Sequence, residues 1–474
     1  MSIPIIPLES VLRTTSTRFK SYWDHLPEGV NKELSVMNYA KQKLLNGPTE
    51  LRDDNKTGSL ACLAMRFALE FNIDNISRDV SFAQVERHMR LCIATTAGLE
   101  KLITIPGSEP LLAEAAYELM KATQTNAVRH LAEHSDLNCI DRGRRGELVA
   151  ALGLLIMQAC DAARSITGQR WVSVAGFMEA LLPESKYNDL VESTPTFWRT
   201  TDDREMTFGA MFKDYGMWFN HIIRIEKHEM ISINHLWKFI TRGAMILCAT
   251  NQENIDIILP VCHTTRNLGP DSVTAIIIQV KNAEDFGRKY NKSLFDGMDS
   301  AVTSAIFSES KSTTGAPERK EVTPKPVIRL VFALASPEPA VAIRLGAEVK
   351  CHETDHDAFT TFDIWLAGLS EETFKQIGAD LEPYQALLER SLLPHDAFEM
   401  KDDPKIGEEA RILRGARRRR MAPLALPGTG HHEIHQGMEG LGKKSREGSK
   451  KPKQKRRTQT PQTERRTRAR TGAT

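Results

Sequence analysis

Several features that define large protein classes are missing from this chain. Its seven cysteines (Cys62, Cys92, Cys139, Cys160, Cys248, Cys262 and Cys351) are scattered, odd in number and never spaced Cys-x-x-Cys. That pattern argues against a disulfide framework or a zinc site and suits reduced thiols. No apolar run approaches the roughly 18 residues of a membrane span. Met1 to Glu9 has neither the basic start nor the long apolar stretch of a secretory signal. A soluble, unsecreted protein with no membrane partner is expected. Residues 30–135 hold no internal repeat, glycine-rich phosphate loop or nucleophile motif, which leaves packing, or binding a protein partner, as the work of that stretch.

What is present is enough material for two or three domains: 474 residues, 41% hydrophobic and 26% charged. The charge is unevenly spread. Residues 411–474 carry 19 Lys and Arg against 4 Asp and Glu, a net of +15, so an overall charge of +2 leaves the other 410 residues at −13. A tail rich in Gly, Pro, Thr and Gln and almost free of aromatics cannot bury enough apolar surface to fold, and disorder is expected there. Two clusters within it, including Arg417, Arg418, Arg419 and Arg420 in the first and Lys450, Lys451, Lys453, Lys455, Arg456 and Arg457 in the second, fit nuclear import and nonspecific, salt-sensitive phosphate binding. His431, His432 and His435 lack an acid or cysteine framework and predict no metal site.

Along the body, residues 1–29 form an N-terminal segment and residues 30–135 read as an all-helical module. Val85, Met89 and Cys92 recur at helical spacing, as do Leu112, Ala115, Ala116 and Leu119, with Ser108-Glu109-Pro110 as a helix start. A basic turn, Asp141 to Gly146, then leads into a helix whose Leu148, Ala151, Leu152, Leu155 and Ala159 form one stripe, bordered by Glu147. Residues 166–240, with four of the six tryptophans, read as an ordered, mostly helical insertion. Strands are expected at 244–249, 255–261 and 274–281, a helix at 293–307 and a further strand at 327–334. Residues 340–400 close the domain, with Ser370-Glu371-Glu372-Thr373 starting a last helix.

Two of these strands carry groups that an apolar layer excludes, since an unpaired buried polar group costs about 1–3 kcal/mol. Asp256 stands at the head of Ile255-Asp256-Ile257-Ile258-Leu259, and Gln279 and Lys281 stand at the tail of Ala275-Ile276-Ile277-Ile278-Gln279-Val280-Lys281. A period of two puts Gln279 and Lys281 on one face, Ile276, Ile278 and Val280 on the other, and Asp256 with Ile258 and Pro260. Adjacent strands would bring Asp256, Gln279 and Lys281 together. Taken singly, each has a bland reading: a strand-end lysine reaches solvent along an apolar face, and a strand-head aspartate caps a turn. His221 reads as a satisfied core histidine.

The order of a helix acid, a strand acid and Gln-x-Lys over residues 141–335 resembles the PD-(D/E)xK nuclease superfamily. The resemblance implies a central mixed sheet flanked by helices of the restriction-endonuclease-like type, an α/β (α+β) nuclease domain over 141–400, and metal-dependent hydrolysis of nucleic acid, DNA first, in the nucleus. It matches Glu147 to the helix acid, Asp256 to the strand acid, and Gln279 with Lys281 to the acid-x-lysine pair. Mg²⁺ or Mn²⁺ would then be held by Asp256, the Gln279 oxygen, the Val280 carbonyl and Glu147, with Lys281 holding or helping to deprotonate the attacking water. Gln279 departs from the family's acid, as in Mrr-like branches, and removes one negative charge from the metal site. An insertion of about 75 residues before the first strand is a second departure. The alternative implied is a catalytically inactive nuclease fold that binds nucleic acid or acts as an effector-type interaction protein. From about Tyr39 the chain also resembles uncharacterised basidiomycete fungal proteins, some similar to the Crinkler class, in which an NTPase module precedes the nuclease. No phosphate loop is present here, which implies a truncated or specialised member.

Overall fold

The segment Val273 to Lys281 is apolar or β-branched at nearly every position, a composition suited to a strand covered on both faces. In the computed structural model it is strand β8 at the centre of a nine-stranded mixed sheet. The structure describes residues 17–52, 54–69, 78–96, 102–123, 127–133, 146–151, 153–154, 171–198, 201–225, 231–249, 252, 254–265, 268–282, 286–287, 289–305, 325–343, 359–378 and 381–389. All of them fall within one compact unit, Met1–Ala425.

The helical start of the chain comprises α1 (Thr17–Asp24), α2 (Lys32–Leu45), α3 (Lys56–Phe67), α4 (Arg78–Arg87), α5 (Pro110–Ala122) and α6 (Ala127–Glu133). Asn31 and Asn55 cap α2 and α3 by accepting from the Leu34 and Gly58 amides at 3.1 and 2.8 Å. Pro110 opens α5 at its first turn, as the sequence predicts. The region is not all helical, however. Met89 takes a left-handed φ of 60° and stops the helix, and β1 (Arg90–Thr95) then pairs antiparallel with β2 (Leu102–Pro106). Cys92 therefore lies on a strand, so three apolar residues at helical spacing do not make a helix there.

The stretch 166–240 also differs from a helical insertion. Between α7 (Val174–Leu181), α8 (Glu184–Val191), α9 (Thr201–Glu205), α10 (Phe208–Met211) and α11 (Ile233–Thr241) it supplies β3 (Val172–Ser173), β4 (Tyr215–Met217) and β5 (His221–Arg224) to the main sheet. Strands of two to four residues are too short to show a period. Then follow β6 (Ala244–Leu247), β7 (Ile257–His263), β8 (Val273–Lys281), α12 (Lys292–Ala305) and β9 (Lys325–Ala333), in the order expected from the sequence. β10 (Ala340–Ile343), β11 (Phe359–Ala367) and α13 (Leu381–Glu389) end the described chain. Ser370 to Thr373 is a turn, not a helix start: the Thr373 and Phe374 amides both donate to the Ser370 carbonyl, and Thr373 Oγ1 donates to the Ala367 carbonyl at 2.7 Å.

The sheet runs β10-β11-β9-β8-β7, and β7 shares its far edge between β6 at its start and β4 at its end. β8, β9 and β11 are mutually parallel neighbours; β7 is antiparallel to β8. Side chains alternate between two apolar clusters. Ile257, Leu259, Ile276, Ile278, Leu330 and Phe332 join the first, with α2, α3 and α5. Ile258, Ala275, Ile277, Val327 and Val331 join the second, with α11 and α12. Ile276, Ile277 and Ile278 are fully buried, and each contributes about 1.5–3 kcal/mol by leaving water.

The helical start is bonded to the sheet as well as packed on it. Arg66 Nε donates to the Asn220 carbonyl at 3.1 Å, Asn220 Nδ2 donates to Glu114 at 2.7 Å, and Arg242 donates to the Ser108 carbonyl. His221 has both ring nitrogens engaged, by Asn220 Oδ1 at 2.7 Å and Ser108 Oγ at 3.1 Å. Burial, reinforced by Arg242 and Arg66, pushes its pKa down to about 3, so it is a neutral core histidine at ordinary pH.

Candidate active site

Antiparallel pairing of β7 with β8 sets Ile257 opposite Ile278, so Asp256, one residue before β7, lies beside the end of β8. Its backbone is fixed on both sides: the Asp256 amide donates to the Ile278 carbonyl at 2.9 Å, and its carbonyl accepts from the Cys248 amide at 2.8 Å. The carboxylate Oδ2 accepts from the Val280 amide at 2.6 Å, which ties the acid to the middle of Gln279-Val280-Lys281. The turn ahead of it is held by a close approach. Asn254 has a left-handed φ of 68°, and a Cβ on Gly297 of α12 would lie 2.6 Å from Asn254 Oδ1. Glycine within that helix leaves room for the asparagine.

Glu147 arrives on a helical run over 146–151. Its described buried residues are Gly146, Val149, Ala150, Ala151, Gly153 and Leu154; of the expected stripe, Ala151 is fully buried, Leu148 is half-buried, and Leu152, Leu155 and Ala159 lie outside the described residues. A Cβ at Gly146 would meet Val280 Cγ1 at 3.3 Å and Asn282 Cβ at 3.1 Å, so the helix lies directly on the end of β8 and Glu147 is half-buried beside it.

The electrostatics tie these groups together. Burial raises the Asp256 pKa, while the Val280 amide and the Lys281 ammonium pull it back down. Burial holds the Cys248 thiol well above its usual range, and the charges of Asp256 and Glu147 push it further, so both carboxylates bear on one sulfur. Gln279 is 3% exposed, and its Oε1 is buried without a hydrogen-bond partner. Ile276 and Ile278 belong to the first cluster, with Val280 packed against it, and Ile277 belongs to the second, so alternation sends Gln279 and Lys281 to the Ile277 face. Lys281 is half-buried, its Nζ 5.7 Å from the centroid of the Phe286 ring.

Asp256 and Val280 are thus in direct contact, Lys281 and Glu147 act on the same locality through charge, and Gln279 adjoins Val280 with an unused acceptor. Among the described residues no three His, Cys, Asp or Glu side chains cluster as a metal cage would require. The basic residues of the tail, from Arg417 to Arg457, lie outside the described residues. Sequence reasoning missed Cys248 and Phe286. Nothing in the local pattern marks either one, since a strand-end cysteine and a loop phenylalanine are ordinary core residues.

A family described as Domain of unknown function (DUF8736) matches residues 52–311, more than half of the chain. The chain belongs to this family. The DUF8736 span takes in α3 to α12 together with Glu147, Asp256, Gln279 and Lys281, and ends before β9. No curated protein and no solved structure matches the chain.

No described helix is long and apolar enough to cross a membrane.

Proposed function

We propose that the chain is a metal-dependent nuclease of the PD-(D/E)xK type that hydrolyses phosphodiester bonds of DNA in the nucleus. The observation that carries this reading is the 2.6 Å bond from the Val280 amide to Asp256, which sets an acid against the backbone of a Gln-x-Lys strand end. A solely structural turn cap gives no reason for the neighbouring buried Gln279 oxygen to go without a partner.

The donor set suits a hard cation that takes oxygen ligands and few protein carboxylates. Asp256, the Gln279 amide oxygen and the Val280 carbonyl would hold Mg²⁺ or Mn²⁺, with Glu147 reaching it directly or through water. A bound ion would supply neutralisation of phosphoryl charge and an acidified water. The chain's own residues do the rest. Asp256 has its carboxylate fixed by the Val280 amide, so its remaining lone pairs are oriented before any ligand arrives. Lys281 brings a positive charge to the same locality, where it orients the attacking water and offsets charge developing on the phosphate. The basic clusters of the tail grip the nucleic-acid backbone and direct the protein to the nucleus.

The test is cleavage of plasmid DNA in Mg²⁺ or Mn²⁺. Asp256→Asn, which keeps an acceptor for the Val280 amide, and Lys281→Ala are each expected to lower the rate by at least about 100-fold while thermal unfolding is retained. Equal cleavage by wild type and both variants would end the assignment. Gln279 in place of an acid favours a second reading, a nuclease fold that binds DNA without cutting it. Salt-sensitive binding that survives in the double variant, with no cleavage under any metal condition, would select that reading.

A further inference from the structure

Lys281 ends β8, and its backbone is fixed by the Leu334 amide, which donates to the Lys281 carbonyl at 3.0 Å. The side chain beyond it is a four-carbon stem with free rotors, and a backbone bond does not decide where the ammonium lies. The group that bears on that question is Phe286, five residues further on, before α12. Its ring is packed against the second apolar cluster, and the Lys281 Nζ lies over it at 5.7 Å from the centroid. A ring face carries negative potential and attracts a cation within about 6 Å. Because the ring is held by the core, it is a fixed surface in place of a mobile counter-ion. The Lys281 ammonium thus has an aromatic face beneath it, supplied by a residue that follows its own strand.

We propose that Phe286 is a positioning residue that holds the Lys281 ammonium at the reacting centre. The inference rests on the nuclease reading for its functional consequence, but the placement of the lysine stands apart from it. Leucine at 286 would preserve apolar packing and remove the ring face; tyrosine would preserve both.

Two measurements on the full chain test this. In protein labelled with ¹³C at lysine Cε, the Lys281 methylene protons, assigned by their loss in Lys281→Arg, are expected to be shifted upfield by the ring current. That shift should vanish in Phe286→Leu and persist in Phe286→Tyr. In the cleavage assay, Phe286→Leu should lower kcat by about 10- to 100-fold with KM for DNA within about twofold, and Phe286→Tyr should restore most of the rate. An unshifted Lys281 signal in wild type, or a Phe286→Leu variant that keeps the full rate, would overturn the proposal. Should wild type fail to cut DNA, the nuclease reading falls alone, and the resonance still decides whether the ring holds the lysine.

Discussion

Arg329 and Gln279 are both 3% exposed polar residues on neighbouring strands of one sheet, and the protein treats them in opposite ways. Arg329, at mid-strand in β9, has every guanidinium nitrogen engaged. Nε and Nη2 donate to the two Asp363 oxygens at 2.6 and 2.7 Å, and Nη1 donates to the Phe295 carbonyl at 3.0 Å and to Asp299. Burial works against that charge, but Asp363 and Asp299 outweigh it and raise the arginine's pKa. At the rim, Gln279 leaves its oxygen unpartnered and Asp256 keeps its carboxyl raised by burial. A complete polar network inside a sheet specifies the fold, whereas an incomplete one at a strand end gives up stability, and the proposed function takes the second as the place for a ligand.

The sharpest way to break the comparison is Arg329→Met. It strands the Asp363 carboxylate, and urea denaturation should show a loss of about 3–5 kcal/mol; a loss under about 1 kcal/mol would mean the mid-sheet network matters no more than the rim. The His221 network gives a second test, through pH. His221 holds a proton less well folded than unfolded, its pKa falling from 6.5 to about 3. Between those values the unfolded chain binds more protons, so stability is full above 6.5 and is lost as pH falls toward 3. His88, also buried and bonded to the Leu44 carbonyl, shifts in the same direction. Melting curves should therefore drop across this window and drop less in His221→Gln; equal acid sensitivity in both proteins would remove His221 from the account. The smallest effect is expected at the rim itself. Gln279→Leu should raise stability by about 1 kcal/mol, because it deletes an unsatisfied buried acceptor, and a stability loss would show that the amide is already satisfied.

Much of the layout of the sheet was legible because its central strands are long. β7, β8 and β9 have seven to nine residues, and the structure begins and ends each within two residues of the expected limits. Asp256 and the Gln-x-Lys pair stood out because they interrupt otherwise apolar runs. The short pieces were not legible. β3, β4 and β5 offer two, three and four residues, and their pairing is decided by partners elsewhere in the chain, such as Tyr215 opposite His263. The β1–β2 hairpin was hidden because Val85, Met89 and Cys92 fit a helix until the left-handed φ at Met89 ends it. How closely the helix bearing Glu147 approaches β8, which Gly146 allows, is not revealed by a hydrophobic stripe.

The first apolar cluster runs without a break from Phe19 and Leu44 through Leu119 to Ile257, Ile278 and Leu330. One side of the central sheet is thus roofed by the amino-terminal helices. A fragment trimmed to the strands alone would present an oily plane to water and would aggregate before its chemistry could be assayed. Whatever the amino-terminal helices bind, their first service is as a lid on hydrocarbon, which makes helices and sheet one folding unit.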